Sequence, residues 1–71
     1  MLLFKKERKK DVLKGRTIRY LAKEKLVACS EVHLNNVLNG KIPCSYLLAK
    51  NIIECADADA KLEEYFEDLE N

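Results

Sequence analysis

Short amide side chains are concentrated in one stretch of the sequence, where Asn35, Asn36 and Asn39 fall within five residues. An asparagine amide donates and accepts at once, which suits a bidentate contact to N6 and N7 of adenine, and an apolar side chain such as Val32 can meet a thymine methyl. The plainer interpretation is the polar side of a surface helix. Because asparagine is a poor helix former, the cluster favours a role in recognition.

The other reactive side chains show no catalytic or metal-binding spacing. Cys29, Cys44 and Cys55 lie 15 and 11 residues apart, without the close cysteine pair usual in structural zinc sites. Their odd number does not indicate a disulfide framework, so we interpret them as small buried apolar residues in a reducing compartment. His33 has no partner at a catalytic spacing. We expect no enzyme activity, no metal site and no cofactor.

Charge is strongly separated along the chain, although the formal net charge is only +1. Residues 1–25 hold ten basic and three acidic side chains, a local charge of +7, whereas residues 54–71 hold eight acidic and one basic, or −7. The basic run at 5–10 is either a solvated helix face or an arm that contacts phosphates. We predict that the basic end faces DNA and that the acidic end lies on another side, either solvated or bound to a protein partner.

Length and hydropathy indicate a single small domain over all 71 residues. No apolar run approaches the roughly 20 residues of a membrane span. The apolar start at residues 1–4 is too short for a signal peptide and precedes the basic cluster instead of following it. We therefore expect a cytoplasmic protein.

The spacing of apolar residues is helical along the whole chain, with no alternation long enough for a strand. We predict an all-α fold, a compact bundle of about five short helices. They cover residues 4–14, 17–26 and 30–39, a stretch that begins after Ser45, and a last stretch that begins near Asp57 or Asp59. Thr17, Ser30 and Ser45 stand where N-caps are expected, and Gly40 stands where a helix should stop.

Two of these helices stand in tandem, 17–26 and 30–39, with a short turn at 27–29 between them. In a helix-turn-helix, the first helix braces the DNA backbone and the second lies in the major groove. The second helix has a buried stripe of Leu34, Val37 and Leu38. Val32 and Asn36 stand nearest the middle of its outer side.

Four motifs, in order, resemble one family. They are Thr17-Ile-Arg-Tyr-Leu-Ala22, Leu38-Asn-Gly-Lys41, Pro43 with Ser45-Tyr-Leu-Leu-Ala49, and Leu62-Glu-Glu-Tyr-Phe66. Together they are similar to the lambda-repressor-like, Cro/C1-type (XRE family) helix-turn-helix domains, over about residues 17–66. The distance from Leu21-Ala22 to Gly40 exceeds the usual family spacing by about two residues, so either the turn is longer or the second helix runs on.

The resemblance implies a small transcriptional regulator, of the phage-repressor type, that binds double-stranded DNA sequence-specifically. It implies base-reading positions at Glu31, Val32, His33 and Asn36, and backbone contacts at Thr17, Arg19, Asn39 and Lys41. The domain then divides into a basic N-terminal segment and helix at 1–16, the helix-turn-helix at 17–39 and closing helices with an acidic end at 45–71.

The sequence allows two kinds of partner besides DNA, a second copy of the chain or another protein. A homodimer would use the last helix through Tyr65, Phe66 and Leu69, the N-terminal segment, or simply adjacent DNA sites. The same apolar residues also suit the core. The alternative function is a protein-interaction module on a helix-turn-helix fold, such as an antitoxin, an antirepressor or a partner of another regulator, because fold does not determine function.

Overall fold

Helices make up most of the computed structural model of the chain, which describes residues 1–57 and 59–69. The elements in order are β1 (Leu2–Phe4), a 3-10 helix (Lys6–Arg8), α1 (Lys9–Leu13), α2 (Ile18–Lys23), α3 (Glu31–Leu38), α4 (Tyr46–Ala56), α5 (Leu62–Tyr65) and β2 (Phe66–Asp68). The prediction of a mostly helical, compact domain is confirmed. The prediction of a strictly all-α fold is wrong, because β1 and β2 form a small sheet.

The starts of the three central helices are set by hydroxyl caps. The side-chain oxygens of Thr17, Ser30 and Ser45 each accept a hydrogen bond from the backbone N–H three residues on, at 3.0, 3.2 and 3.2 Å. Each cap satisfies an N–H that has no partner within its helix, a contribution of about 1 kcal/mol. All three predicted caps are confirmed.

The ends of the chain differ most from the prediction. The predicted helix over 4–14 is instead a strand, a 3-10 helix and the short α1. The predicted last helix is helical only over Leu62–Tyr65, after which Phe66–Asp68 is extended. Residues 58, 70 and 71 of that predicted helix lie outside the described residues. The physical reason is pairing between the two ends of the chain.

The sheet joins the two ends in antiparallel register. Leu2 pairs with Asp68 and Phe4 with Phe66, and the two phenylalanine rings meet edge to face with centroids 5.2 Å apart. On its other edge, Leu2 exchanges backbone hydrogen bonds with Cys44, at 2.9 and 2.8 Å. The N-terminal strand is therefore held from both sides.

This pairing also brings the basic and acidic ends together. Lys5 Nζ donates to the Glu63 carbonyl at 2.9 Å, and Arg8 Nε donates to the Glu64 carbonyl at 3.1 Å. The Arg8 guanidinium also lies over the Tyr65 ring, 5.2 Å from its centroid. For Lys5 and Arg8, the expectation that the two charged ends lie on separate sides is wrong.

The core lies between the helices and the sheet. α2 packs on α3, and α1 packs on α4. The predicted stripe of α3 is confirmed, since Leu34, Val37 and Leu38 have no exposed surface. The other buried side chains are Phe4, Val12, Leu21, Val27, Cys44, Ala49, Ile52, Ile53, Ala56, Tyr65 and Phe66. Within the described residues, no helix has the length and apolar character to cross a membrane.

Candidate nucleic-acid interface

The connection between α2 and α3 is longer than predicted. α2 ends at Lys23 instead of residue 26, because Lys25 adopts a left-handed conformation with φ of 57°. The N–H groups of Lys25 and Leu26 then bond back to the carbonyls of Ala22 and Leu21, the hydrogen-bond pattern of a helix C-cap in which glycine is the usual residue. The connection covers residues 24–30, so the extra length noted in the sequence lies in this loop and not in α3.

The side chain of Asn51, on α4, holds this loop in place. Its Oδ1 accepts from the Ala28 N–H at 2.9 Å, and its Nδ2 donates to the Leu26 carbonyl at 2.9 Å. The Cys55 thiol donates to the same carbonyl at 3.3 Å. Asn51 thereby helps to position the start of α3. Its sequence signal is weak, a single amide in an apolar helix.

α3 presents its outer side to solvent. Val32 is 72% exposed, and Glu31 and His33 on either side of it are exposed as well. Asn36 is half-buried one turn further on. The helix ends at Leu38, after which Gly40 has φ of 71° and the Lys41 N–H bonds to the Asn36 carbonyl at 3.0 Å. The four predicted base-reading residues therefore lie on one short helix, with Val32 the most prominent.

At the N-terminal end of α3, two predicted contact residues contact each other. Arg19 Nε lies 3.4 Å from Glu31 Oε1, and both side chains are exposed. An exposed ion pair of this kind contributes at most about 1 kcal/mol, so Arg19 can exchange Glu31 for a phosphate at small cost. Arg19, Lys23 and Glu31 line one shallow depression of about 310 Å³ on the surface. Thr17 uses its oxygen as the α2 cap, which leaves its O–H free to donate.

At the C-terminal end of α3, the predicted phosphate ligand Asn39 already has protein partners. Its Oδ1 accepts from Lys9 Nζ at 2.7 Å, and its Nδ2 donates to Asn35 Oδ1 at 3.1 Å. Lys41 is exposed and follows Gly40 directly. The chain thus places Lys9 and Lys41 at this end of α3, opposite Arg19 and Lys23 at the other.

Other basic side chains near the N-terminus are used within the protein. Lys5 and Arg8 bind carbonyls of α5. Arg16 donates to carbonyls at the ends of α1 and α4, with Nη2 lying 3.0 Å from the Val12 oxygen and 3.1 Å from the Cys55 oxygen. The basic run at 5–10 is therefore divided, with Lys9 turned toward α3 and Lys5 and Arg8 toward α5.

The three residues predicted for a dimer contact do not form one surface. Tyr65 and Phe66 are buried, and only Leu69 is exposed, at 41%. At the start of α4, Leu47 is 79% exposed and Tyr46 is 57% exposed. Tyr46 also lines a groove of about 280 Å³, together with Leu2, Leu62, Glu63, Phe66 and Asp68.

The thiols show no sign of activation. Burial raises the pKa of Cys44 to about 11 and also raises the pKa of Cys29 and Cys55. All three are free thiols, and these shifts keep them protonated at neutral pH. Across residues 1–57 and 59–69, no three His, Cys, Asp or Glu side chains are grouped as a metal site.

Comparison of the chain with protein-family models, with curated proteins and with solved structures gave no significant match. The resemblance to Cro/C1-type domains thus rests on the motifs quoted above and stays a prediction.

Proposed function

We propose that this chain is a sequence-specific regulator of transcription that binds double-stranded DNA as a helix-turn-helix domain, with α3 in the major groove. The observation that carries the proposal is the exposed outer side of α3, with cationic side chains at both of its ends. Eight helical residues span about 12 Å, close to the roughly 12 Å width of the major groove. Cations at the two ends of α3 are therefore spaced to meet phosphates on both sides of one groove.

The side chains of α3 divide into base-reading and positioning groups. Val32 is placed to meet a thymine methyl, and Asn36 has the free amide needed for adenine. Within the described residues, Asn36 makes no side-chain hydrogen bond. Glu31 can accept from cytosine N4 once Arg19 has turned to a phosphate, and His33 flanks the other side of the helix.

Backbone contacts come from residues around α3. Arg19 and Lys41 supply charge at its two ends, and the Thr17 hydroxyl is placed to donate to a phosphate. One module of this size covers only about 600–1,000 Å² of DNA-facing surface. We therefore propose that two copies occupy half-sites about one helical turn apart, as in other helix-turn-helix dimers.

Fluorescence anisotropy with a labelled nonspecific duplex at low salt tests the proposal. We expect binding at micromolar protein and a linear fall of log affinity with log salt concentration. Lys41→Gln should reduce the magnitude of that slope by about 1, the change expected for one lost phosphate contact. Lys61→Gln, at an exposed lysine beside α5, is the matched control and should leave it unchanged. Lack of binding, or equal slopes for the two variants, contradicts the proposal.

The exposed apolar surface favours a second candidate function, a protein-interaction module. Leu47 and the groove that contains Leu62 and Phe66 would then contact another protein, such as a regulator or a toxin, and α3 would have no role. In that case a folded wild-type protein fails to bind the duplex at low salt. The duplex titration of the wild type therefore separates the two candidates. DNA binding through α3 further predicts that Leu47→Asp retains duplex affinity, and a loss of duplex binding in this folded variant would contradict it.

A further inference from the structure

Three side chains form a hydrogen-bonded chain that ends on the outer side of α3. The Lys9 ammonium donates to Asn39 Oδ1 at 2.7 Å, and Asn39 Nδ2 donates to Asn35 Oδ1 at 3.1 Å. An ammonium group can only donate, so it determines which end of the Asn39 amide is oxygen. Asn39 then turns its nitrogen to Asn35, and the oxygen of Asn35 is the end that accepts.

In this arrangement the Asn35 amide has more unused hydrogen-bond donors than unused acceptors. One lone-pair site of its oxygen is already used by Asn39, whereas both N–H groups of its Nδ2 have no partner within the described residues. The side chain is exposed on the same helix as Val32 and Asn36. The bond from Lys9 to Asn39 is charge-assisted, and such bonds are about twice as strong as neutral ones. Lys9 therefore fixes the orientation of the Asn39 amide and, through it, that of the Asn35 amide.

Resting on the function proposed above, we propose that Asn35 contacts DNA as a hydrogen-bond donor and that Lys9 sets its direction through Asn39. A donor requires an acceptor on the DNA. Guanine is the base whose major-groove edge offers two acceptors, N7 and O6, and a phosphate oxygen offers the same chemistry. Asn35 therefore differs in role from Asn36, whose amide keeps both its donor and its acceptor for adenine. Lys9 is a positioning residue.

Selection of duplexes from a random pool tests the role of Asn35. For the wild type we expect a guanine preference at one position that Asn35→Ala relaxes by about three- to tenfold, the effect of one hydrogen bond. A loss of that size at all sequences, with every preference retained, assigns the acceptor to a phosphate oxygen. Relaxation of an adenine preference by Asn35→Ala overturns the inference, as does an unchanged affinity.

Three variants test the role of Lys9. Lys9→Met removes the donor that orients the chain, and we expect it to reproduce the effect of Asn35→Ala, at the same base position or at all sequences. Lys9→Arg keeps a cationic donor and should restore wild-type behaviour. Lys41→Gln loses one charge without touching the chain and should weaken all sequences alike. If Lys9→Met and Asn35→Ala act through one hydrogen-bond chain, the double variant should lose little more affinity than Asn35→Ala alone. If the two losses simply add, Lys9 is only a phosphate contact and the inference fails.

A measurement without DNA separates this inference from the proposed function. In the NMR spectrum of the free protein, the side-chain amide signals of Asn35 and Asn39 should shift in Lys9→Met and return in Lys9→Arg. Shifted amide signals in a protein that binds no duplex would overturn the proposed function while leaving the hydrogen-bond chain intact. Unshifted signals in a protein that does bind DNA would overturn the inference alone.

Discussion

Replacing Asn51 by alanine should loosen the loop that leads into α3. The amide of Asn51 joins α4 to residues 24–30 through one accepted and one donated hydrogen bond, both 2.9 Å long, beside the longer bond from the Cys55 thiol to the Leu26 carbonyl. Alanine removes both bonds at once and leaves the Ala28 N–H and the Leu26 carbonyl without them. Alanine is a good helix former, so α4 itself should not suffer.

The expected loss of stability follows from the two bonds. Each contributes about 0.5–1.5 kcal/mol, which sums to about 1–3 kcal/mol. Leu26 and Ala28 are exposed, so water can replace part of the lost bonding, and we expect about 1–2 kcal/mol. For a domain of this size, each kcal/mol lowers Tm by about 4–8 °C.

Urea unfolding provides the global measurement, and amide hydrogen exchange at Ala28 provides the local one. We expect Asn51→Ala to lower the free energy of unfolding by the amount above and to accelerate exchange at Ala28. Glu54→Ala, at an exposed position of the same helix, is the control and should stay within about 0.5 kcal/mol of wild type. A wild-type free energy of unfolding together with unchanged exchange at Ala28 would refute the role assigned to Asn51.

Two further variants and one labelling experiment test contacts elsewhere in the fold. Arg16→Ala should lower the free energy of unfolding in urea by about 1–3 kcal/mol, because carbonyls at the ends of α1 and α4 lose a charged donor. Arg16→Lys should recover only part of this free energy, and equal stability of wild type and both variants would refute the assignment. Gly40→Ala should lower the free energy of unfolding by about 1–2 kcal/mol, because φ is +71° and the new Cβ would lie 3.4 Å from the Phe4 carbonyl oxygen. A Tm equal to that of the wild type would contradict this prediction. Cys44 should react with iodoacetamide at pH 8 far more slowly in the folded than in the urea-unfolded protein, since burial raises its pKa to about 11 from the ordinary 9.0. The unfolded thiol ionises first, so the contribution of Cys44 to stability is full below pH 9 and falls as the pH rises toward 11; stability that increases across this window would contradict the assignment.

Local signals in the sequence predicted the central helices well. Thr17, Ser30 and Ser45 act within three residues of their own position, so their capping roles can be inferred without knowledge of the fold. The buried stripe of α3 likewise follows from helical spacing alone. The predicted end of α2, residue 26, is three residues too late, because Lys25 adopts a left-handed conformation that favours glycine and that its sequence does not signal.

The two ends of the chain could not be predicted in the same way. The spacing of Leu62, Tyr65 and Phe66 suits a helix, but Phe66 is extended because it pairs with Phe4 at the other end of the chain. Strand pairing of this kind depends on a partner that no local window contains. The same pairing explains why the basic and acidic ends lie side by side.

The sequence predicts those features of the candidate site that depend on helical spacing, but not those that depend on contacts between distant residues. Exposure of Val32 follows from the helical period, and it is observed. The partners of Glu31 and Asn39 come from α2 and α1, and only the tertiary structure shows that Arg19 and Lys9 meet them. Asn51 escaped prediction because its two hydrogen bonds reach a loop more than 20 residues away.

The central claim, that α3 binds DNA, is tested most directly by NMR titration of the labelled protein with a short duplex at low salt. We predict that backbone signals of Val32, Asn36 and Lys41 shift with added duplex, whereas those of Leu47 and Leu62 stay in place. Absence of any shift at saturating duplex, or shifts confined to Leu47 and the groove around Leu62, would contradict it.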